Sequence, residues 1–202
     1  AATDSGRGGA LVPAQNATDP TASAPLGGAM HEEYWETRSD RTTKIELFQL
    51  WINLPARQKA DPAAIRYVGD AWGAPYEEKV QLDGRGKATR VRYALDEALL
   101  ARAEQGGGGT LASRPPVSVV HATLEPGAAW THVVPAEHTA LLYVRRGTAL
   151  VPADGGASTR VQAGSSALFE RDGDTVALRN AADAQPCDVL LLSGAPLREP
   201  VA

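Results

Sequence analysis

The last third of the chain is a succession of short β-type runs divided by turn residues, and this pattern constrains the fold more than any other feature. The runs are Val117 to Leu124, Thr139 to Val144, Thr148 to Val151, Thr159 to Val161, Ala167 to Glu170, Thr175 to Arg179 and Val189 to Leu192. Between them fall Glu125-Pro126-Gly127, Arg146-Gly147, Asp154-Gly155-Gly156, Ala163-Gly164 and Asp172-Gly173. Strands at this spacing, separated by turn chemistry, predict an antiparallel sandwich or barrel.

Upstream the pattern is less regular. Residues 1–29 are rich in Ala, Gly, Thr, Ser, Pro and Asp and hold few large apolar residues, so they read as flexible chain. Lys44 to Leu54 predicts a strand stopped by Pro55, with Phe48, Leu50, Ile52 and Leu54 on an apolar inner face and Gln49, Trp51 and Asn53 on the other. From 56 to 116 only Val80 to Leu82 and Val91 to Tyr93 look extended. One short helix is expected there: Leu95, Ala98, Leu99 and Ala103 recur at helical spacing, Asp96 and Glu97 suit its first turn, and Gly106 follows as a stop. The Gly106 to Gly109 run lacks the Lys-Ser/Thr ending of a phosphate loop and reads as a linker.

Composition bounds the function classes. With 43% hydrophobic and 22% charged residues, 20 Gly and 14 Pro, the chain is expected to fold and to be rich in turns. A net charge of −4 and the absence of a dense Lys/Arg block argue against direct nucleic-acid binding. The single Cys187 cannot form an internal disulfide, which points to a reducing compartment, cytoplasmic or nuclear. No run approaches the ~18 apolar residues of a spanning helix, so no membrane role is expected, nor is a secretory signal evident. The acceptor-like triplet Asn16-Ala17-Thr18 is read as coincidental.

Three segments carry a family resemblance. Phe48-Gln49-Leu50-Trp51-Ile52-Asn53-Leu54-Pro55 resembles the signature strand of pirins, which closes the first of that family's two cupin domains. Leu124 to Val151, with its Pro-Gly, Leu142-Tyr143-Val144 and the Gly147 turn, is similar to the second cupin. Leu191 to Pro200 resembles the segment that leaves the second cupin and returns toward the first. The resemblance implies an all-β protein of two jelly-roll β-barrel domains, joined by a connection holding the one short helix. Pirins carry several strands and a His-x-His pair upstream of the position matched by His31. Residues 1–29 match none of this and no His-x-His occurs in the chain, so the N-terminal barrel is read as incomplete. The expected division is a non-matching segment 1–29, a partial N-terminal cupin with linker 30–115, a C-terminal cupin 116–194, and a tail 195–202 returning toward the first domain.

Gly28-Ala29-Met30-His31-Glu32-Glu33 is similar to the pirin segment Gly-x-x-His-x-Glu, whose His and Glu are iron ligands. On a strand, His31 and Glu33 project to one face while Glu32 points away, which lets both meet one ion. Imidazole with carboxylate suits non-haem Fe(II), and also manganese, nickel or copper. By resemblance, then, His31 and Glu33 are metal ligands, Fe(II) is the cofactor, and Glu33 doubles as the catalytic proton acceptor in a quercetin 2,3-dioxygenase-type reaction on a flavonol-like substrate. Half of the family's ligand set is missing, so little or no turnover is expected from these 202 residues. The alternatives are an iron-dependent transcriptional co-regulator that contacts a transcription-factor partner, and a degenerate metal-free bicupin; a monomer is expected. His121, His132 and His138, in the second cupin, are read as surface or half-buried histidines, and Trp35 and Trp51 as aromatics of the first barrel with packing as their default role.

Overall fold

A computed structural model of the chain describes residues 11–12, 32–33, 39–42, 44–60, 77–95, 116–182 and 184–200. The chain divides into two compact units, Ala1–Ala64 and Ile65–Ala202.

In the first unit, β1 (Leu11–Val12) pairs antiparallel with β2 (Glu32–Glu33), so part of the segment expected to be flexible is a short strand. The segment from 44 to 54, expected as a strand, is not one. Phe48, Leu50 and Ile52 are exposed by 41%, 44% and 46%, and Trp51 by 90%, so neither alternating face is covered. Alternation says which face a strand would bury, but a strand also needs a neighbour to bond to, and among the described residues none pairs with this segment. Pro55 and Gln58 are nevertheless buried, at a single 3-10 turn over Ala56–Gln58.

The second unit is a β-sandwich. Its strands are β3 (Glu77–Leu82), β4 (Ala88–Leu95), β5 (Val117–Leu124), β6 (Ala129–Val133), β7 (Thr139–Arg146), β8 (Thr148–Pro152), β9 (Ser158–Gln162), β10 (Ser166–Phe169), β11 (Thr175–Asn180) and β12 (Cys187–Gly194). One sheet runs β10-β7-β12-β5-β4-β3 and the other β6-β11-β8-β9, with every pairing antiparallel. From β5 to β8 the chain switches sheets at every step, which wraps it around one core in the manner of a cupin jelly roll. The strands β3 and β4 lie within the 30–115 segment, yet β4 bonds to β5 and both complete the sheet of the C-terminal barrel. The expected helix begins at Leu95, which instead ends β4; residues 96–103 lie outside the described ones.

The core follows from strand parity. Val120, Ala122 and Leu124 of β5, Ala140, Leu142 and Val144 of β7, and Cys187, Val189 and Leu191 of β12 face inward, against Trp130, Ala149, Val161, Val176 and Leu178 of the second sheet. Burying a side chain of this size is worth roughly 1.5–3 kcal/mol, so a register slip of one residue, which would turn these positions outward, is strongly disfavoured. Gly147 makes the sharp sheet-to-sheet turn at φ 79°, and a Cβ there would lie 2.9 Å from the Pro186 carbonyl oxygen. Only glycine satisfies both conditions.

Candidate functional site

His31 lies outside the described residues. Glu33 is the second residue of β2, opposite Leu11, so the carboxylate-bearing half of the His-x-Glu pair is on a strand. Among the described residues no group of three or more His, Cys, Asp or Glu could hold a metal. By donor type, imidazole plus carboxylate fits a ferrous ion. By number it falls short of the smallest non-haem iron arrangement, two His and one carboxylate.

The histidines of the second unit have more specific surroundings than sequence reading assigned them. Trp130 and His132 project inward together from β6, opposite the core residues Leu178 and Val176 of β11. Their rings stack at 5.3 Å and 26°, and the Tyr93 ring, inward on β4, lies 6.1 Å from His132. Lys79 Nζ, itself paired with Glu77, sits 5.1 Å over the Tyr93 ring. Burial pushes the His132 imidazole below its ordinary pKa of 6.5, so at neutral pH it is an uncharged ring. Among the described residues, no hydrogen-bond partner is found for the buried His138 Nδ1, Trp130 Nε1 or Thr89 Oγ1.

His121 is part of a different constellation, on the outer face of the six-stranded sheet. Its Nε2 meets Asp188 Oδ1 at 2.7 Å, and Arg145 donates from Nε to the same oxygen at 2.9 Å and from a terminal nitrogen to Oδ2. The three residues come from neighbouring strands β5, β12 and β7. Burial opposes ionisation of Asp188, but the hydrogen bonds from His121 and Arg145, together with their charges, outweigh it and hold the carboxyl well below the usual range. Both carboxylate oxygens are thereby occupied, which makes the cluster a cross-strand tie rather than an open reactive site. The sequence signal for it was faint: polar residues at outward positions of otherwise apolar strands.

At the far end of β5, Asp83 accepts backbone N–H bonds from Arg85, Lys87 and Ala129, pinning the β3–β4 turn to the start of β6. Asn180, 1% exposed, donates to the carbonyls of Leu124, Glu125 and Gln185 and accepts from Ala182. These contacts fasten the turns at that end of the barrel. Thr89 pairs with Leu124 at this same end and Trp130 follows Ala129 there, whereas His138 precedes β7 at the opposite end.

Comparison with known proteins places this architecture. Residues 119–202 match the pirin C-terminal cupin domain. A Pseudomonas aeruginosa protein named "Putative quercetin 2,3-dioxygenase" is 31% identical over 178 residues, covering 86% of this chain and 54% of its own length. An Arabidopsis thaliana protein named "Putative pirin-like protein" is 26% identical over 175 residues, covering 86% of this chain and 56% of its own. The crystal structure of quercetin 2,3-dioxygenase from Acinetobacter baumannii superposes with a TM-score of 0.52 at 26% identity, over 75% of this chain and 46% of that one. The chain thus spans about half the length of the curated relatives it matches. The barrel's topology, the family match over residues 119–202 and the agreement with both relatives lead to one conclusion: the chain belongs to the pirin family.

Proposed function

We propose that this chain is a metal-binding pirin in which His31 and Glu33 supply an imidazole and a carboxylate to an Fe(II) centre that, in the complete family fold, serves quercetin 2,3-dioxygenase-type oxidation of a flavonol-like substrate. The observation that carries this reading is the likeness, over three quarters of the chain, to a solved quercetin 2,3-dioxygenase. The His-x-Glu pair ending on β2 supports it in donor chemistry. A bound ferrous ion would supply Lewis acidity and a template for substrate. Glu33 would take the proton of the flavonol hydroxyl, and His31 would hold its neighbour in place as a neutral nitrogen donor. Further donors would have to come from outside the described residues.

Metal content decides the first half of the proposal. Anaerobic loading with Fe(II), followed by desalting, is expected to leave about one equivalent bound, lost in His31→Ala and in Glu33→Ala. Retention of iron by both variants would remove these residues from the site. Oxygen uptake with quercetin is expected to be near background for these 202 residues, because the donor set is short, and robust uptake would overturn that reading. Iron binding without uptake, joined to capture of a transcription-factor partner, would favour the co-regulator role instead.

A further inference from the structure

The segment 44–53 leaves ten consecutive residues exposed, and six of them are large and apolar. Ile45 and Leu47 are exposed by 46% and 54%, beside Phe48, Leu50, Trp51 and Ile52. With roughly 200 Å² for each such residue fully in water, their exposures amount to roughly 650 Å² of apolar surface. The largest apolar patch on a monomer is usually about 300–600 Å², and larger ones mark interaction surfaces. A standard interface buries about 800 Å² on each partner, so this segment alone supplies most of one side.

Three features say which partner fits. From 47 to 54 no residue carries a charge and none is proline, so nothing in the run selects a charged partner. Uncharged, strand-favouring runs of this kind are the ones that pair with copies of themselves. The segment belongs to none of the sheets among the described residues, so a partner that brings a strand meets its backbone as well as its side chains. A lipid surface would meet the side chains and offer the backbone nothing. The sequence is also close to self-complementary about Gln49. In an antiparallel pairing with its own copy centred there, Leu47 lies opposite Trp51 and Phe48 opposite Leu50, and each contact occurs twice. The two Gln49 amides face one another on the axis, and a one-residue slip would oppose residues of unlike faces.

We propose that residues 44–54 form a homotypic docking segment, through which two copies of this chain associate by antiparallel pairing about a two-fold axis at Gln49. An isologous contact of this kind closes at two copies. The monomer expected from the sequence would leave the whole apolar run in water. Neither the His31–Glu33 pair nor any residue of the C-terminal barrel takes part, so the proposal stands or falls independently of the iron reading.

The test is sedimentation velocity of the metal-free 202-residue chain from about 1 to about 100 μM, a range in which a monomer–dimer equilibrium is expected. Trp51→Glu, at a site exposed by 90% and so outside the folded chain's core, should weaken association at least about tenfold. Leu168→Glu, at an exposed leucine of β10 outside the segment, should leave it unchanged. Cysteine variants check the register, since the native Cys187 is buried. Gln49→Cys should form an intermolecular disulfide under mild oxidation, because the pairing holds the two Cα atoms about 5 Å apart. Lys44→Cys, which the same pairing sets about 34 Å from its counterpart, should not. The proposal is overturned by a single monomeric species throughout the range, by association that survives Trp51→Glu or is lost equally in Leu168→Glu, or by aggregates that grow past two copies. Equal cross-linking of both cysteine variants overturns it as well, as does a monomeric chain that binds phosphatidylcholine–phosphatidylserine vesicles and loses that binding in Trp51→Glu.

Discussion

Replacing Asp188 with Asn tests whether the outer-face tie holds three strands of the barrel together. Asp188 is 6% exposed, and its two oxygens receive both donors of Arg145 and the imidazole of His121. Asparagine keeps the shape but removes the charge, and it turns one acceptor into an NH2 that faces the guanidinium. Removing one member of a buried pair typically costs about 3–5 kcal/mol. Here the side chains of Arg145 and His121 are 19% and 28% exposed and regain some water, which lowers the expectation to about 2–4 kcal/mol. For a unit of this size that corresponds to a fall in Tm of roughly 10 °C. Urea unfolding at pH 7 should show a lower midpoint with an unchanged slope. The sign of the pH dependence follows from the depressed carboxyl. Stability from Asp188 is fully present above the ordinary value of 3.8 and is lost as pH falls below it, so wild type and variant should converge on acidification. A variant within about 0.5 kcal/mol of wild type at pH 7, or a gap that stays constant down to about pH 2, would refute the reasoning.

Three further outcomes are expected. Gly147→Ala forces a Cβ against the Pro186 carbonyl and the Cys187 backbone at φ 79°, and should cost about 2–4 kcal/mol in thermal unfolding; Gly164→Ala, at φ 81° with open space around it, should cost only about 1–2 kcal/mol. Equal losses would show that the close approach to β12 is unimportant. The Cys187 thiol is pushed up to about 11, by burial first and by the Asp188 charge second, so a disulfide reagent at pH 8 should label it slowly in the native state and rapidly in urea. The Asp83 carboxyl is lowered to about 2 by the backbone N–H groups of Lys87 and Ala129, so its carbon-13 titration should have a midpoint near there, and its stabilising effect should fade as pH drops from 3.8 toward that value. A midpoint at the ordinary value would mean that the turn does not hold its geometry in solution.

The parts of the fold visible in the sequence were those where local chemistry and tertiary packing agree. Gly127, Gly147, Gly155 and Gly164 all adopt positive φ at turns that the sequence pattern had marked, and the strands between them fall where alternation put them. β6 was overlooked because its inward residues, Trp130 and His132, are not the aliphatic pair that a period-two search rewards, while the exposed Val133 sits on the wrong face for one. The segment Lys44 to Leu54 erred the other way. It has the alternation of a strand but no neighbour among the described residues, because a period states a preference for a face and says nothing about what will cover it.

Functional groups divide along the same line. The proposed ligands His31 and Glu33 are picked out by resemblance to the pirin Gly-x-x-His-x-Glu segment, and strand geometry is compatible with it because residues two apart share a face. His121, Arg145 and Asp188 are picked out by neither: the partners are 67 and 43 residues from Asp188 and meet only through the order β7-β12-β5. The atoms of Trp130 and His138 that lack a partner among the described residues are one step further from the sequence, since such a lack belongs to the packing and not to any motif. The iron reading rests on residue types matched to a family, whereas the Asp188 cluster rests on contacts that the barrel's own packing makes.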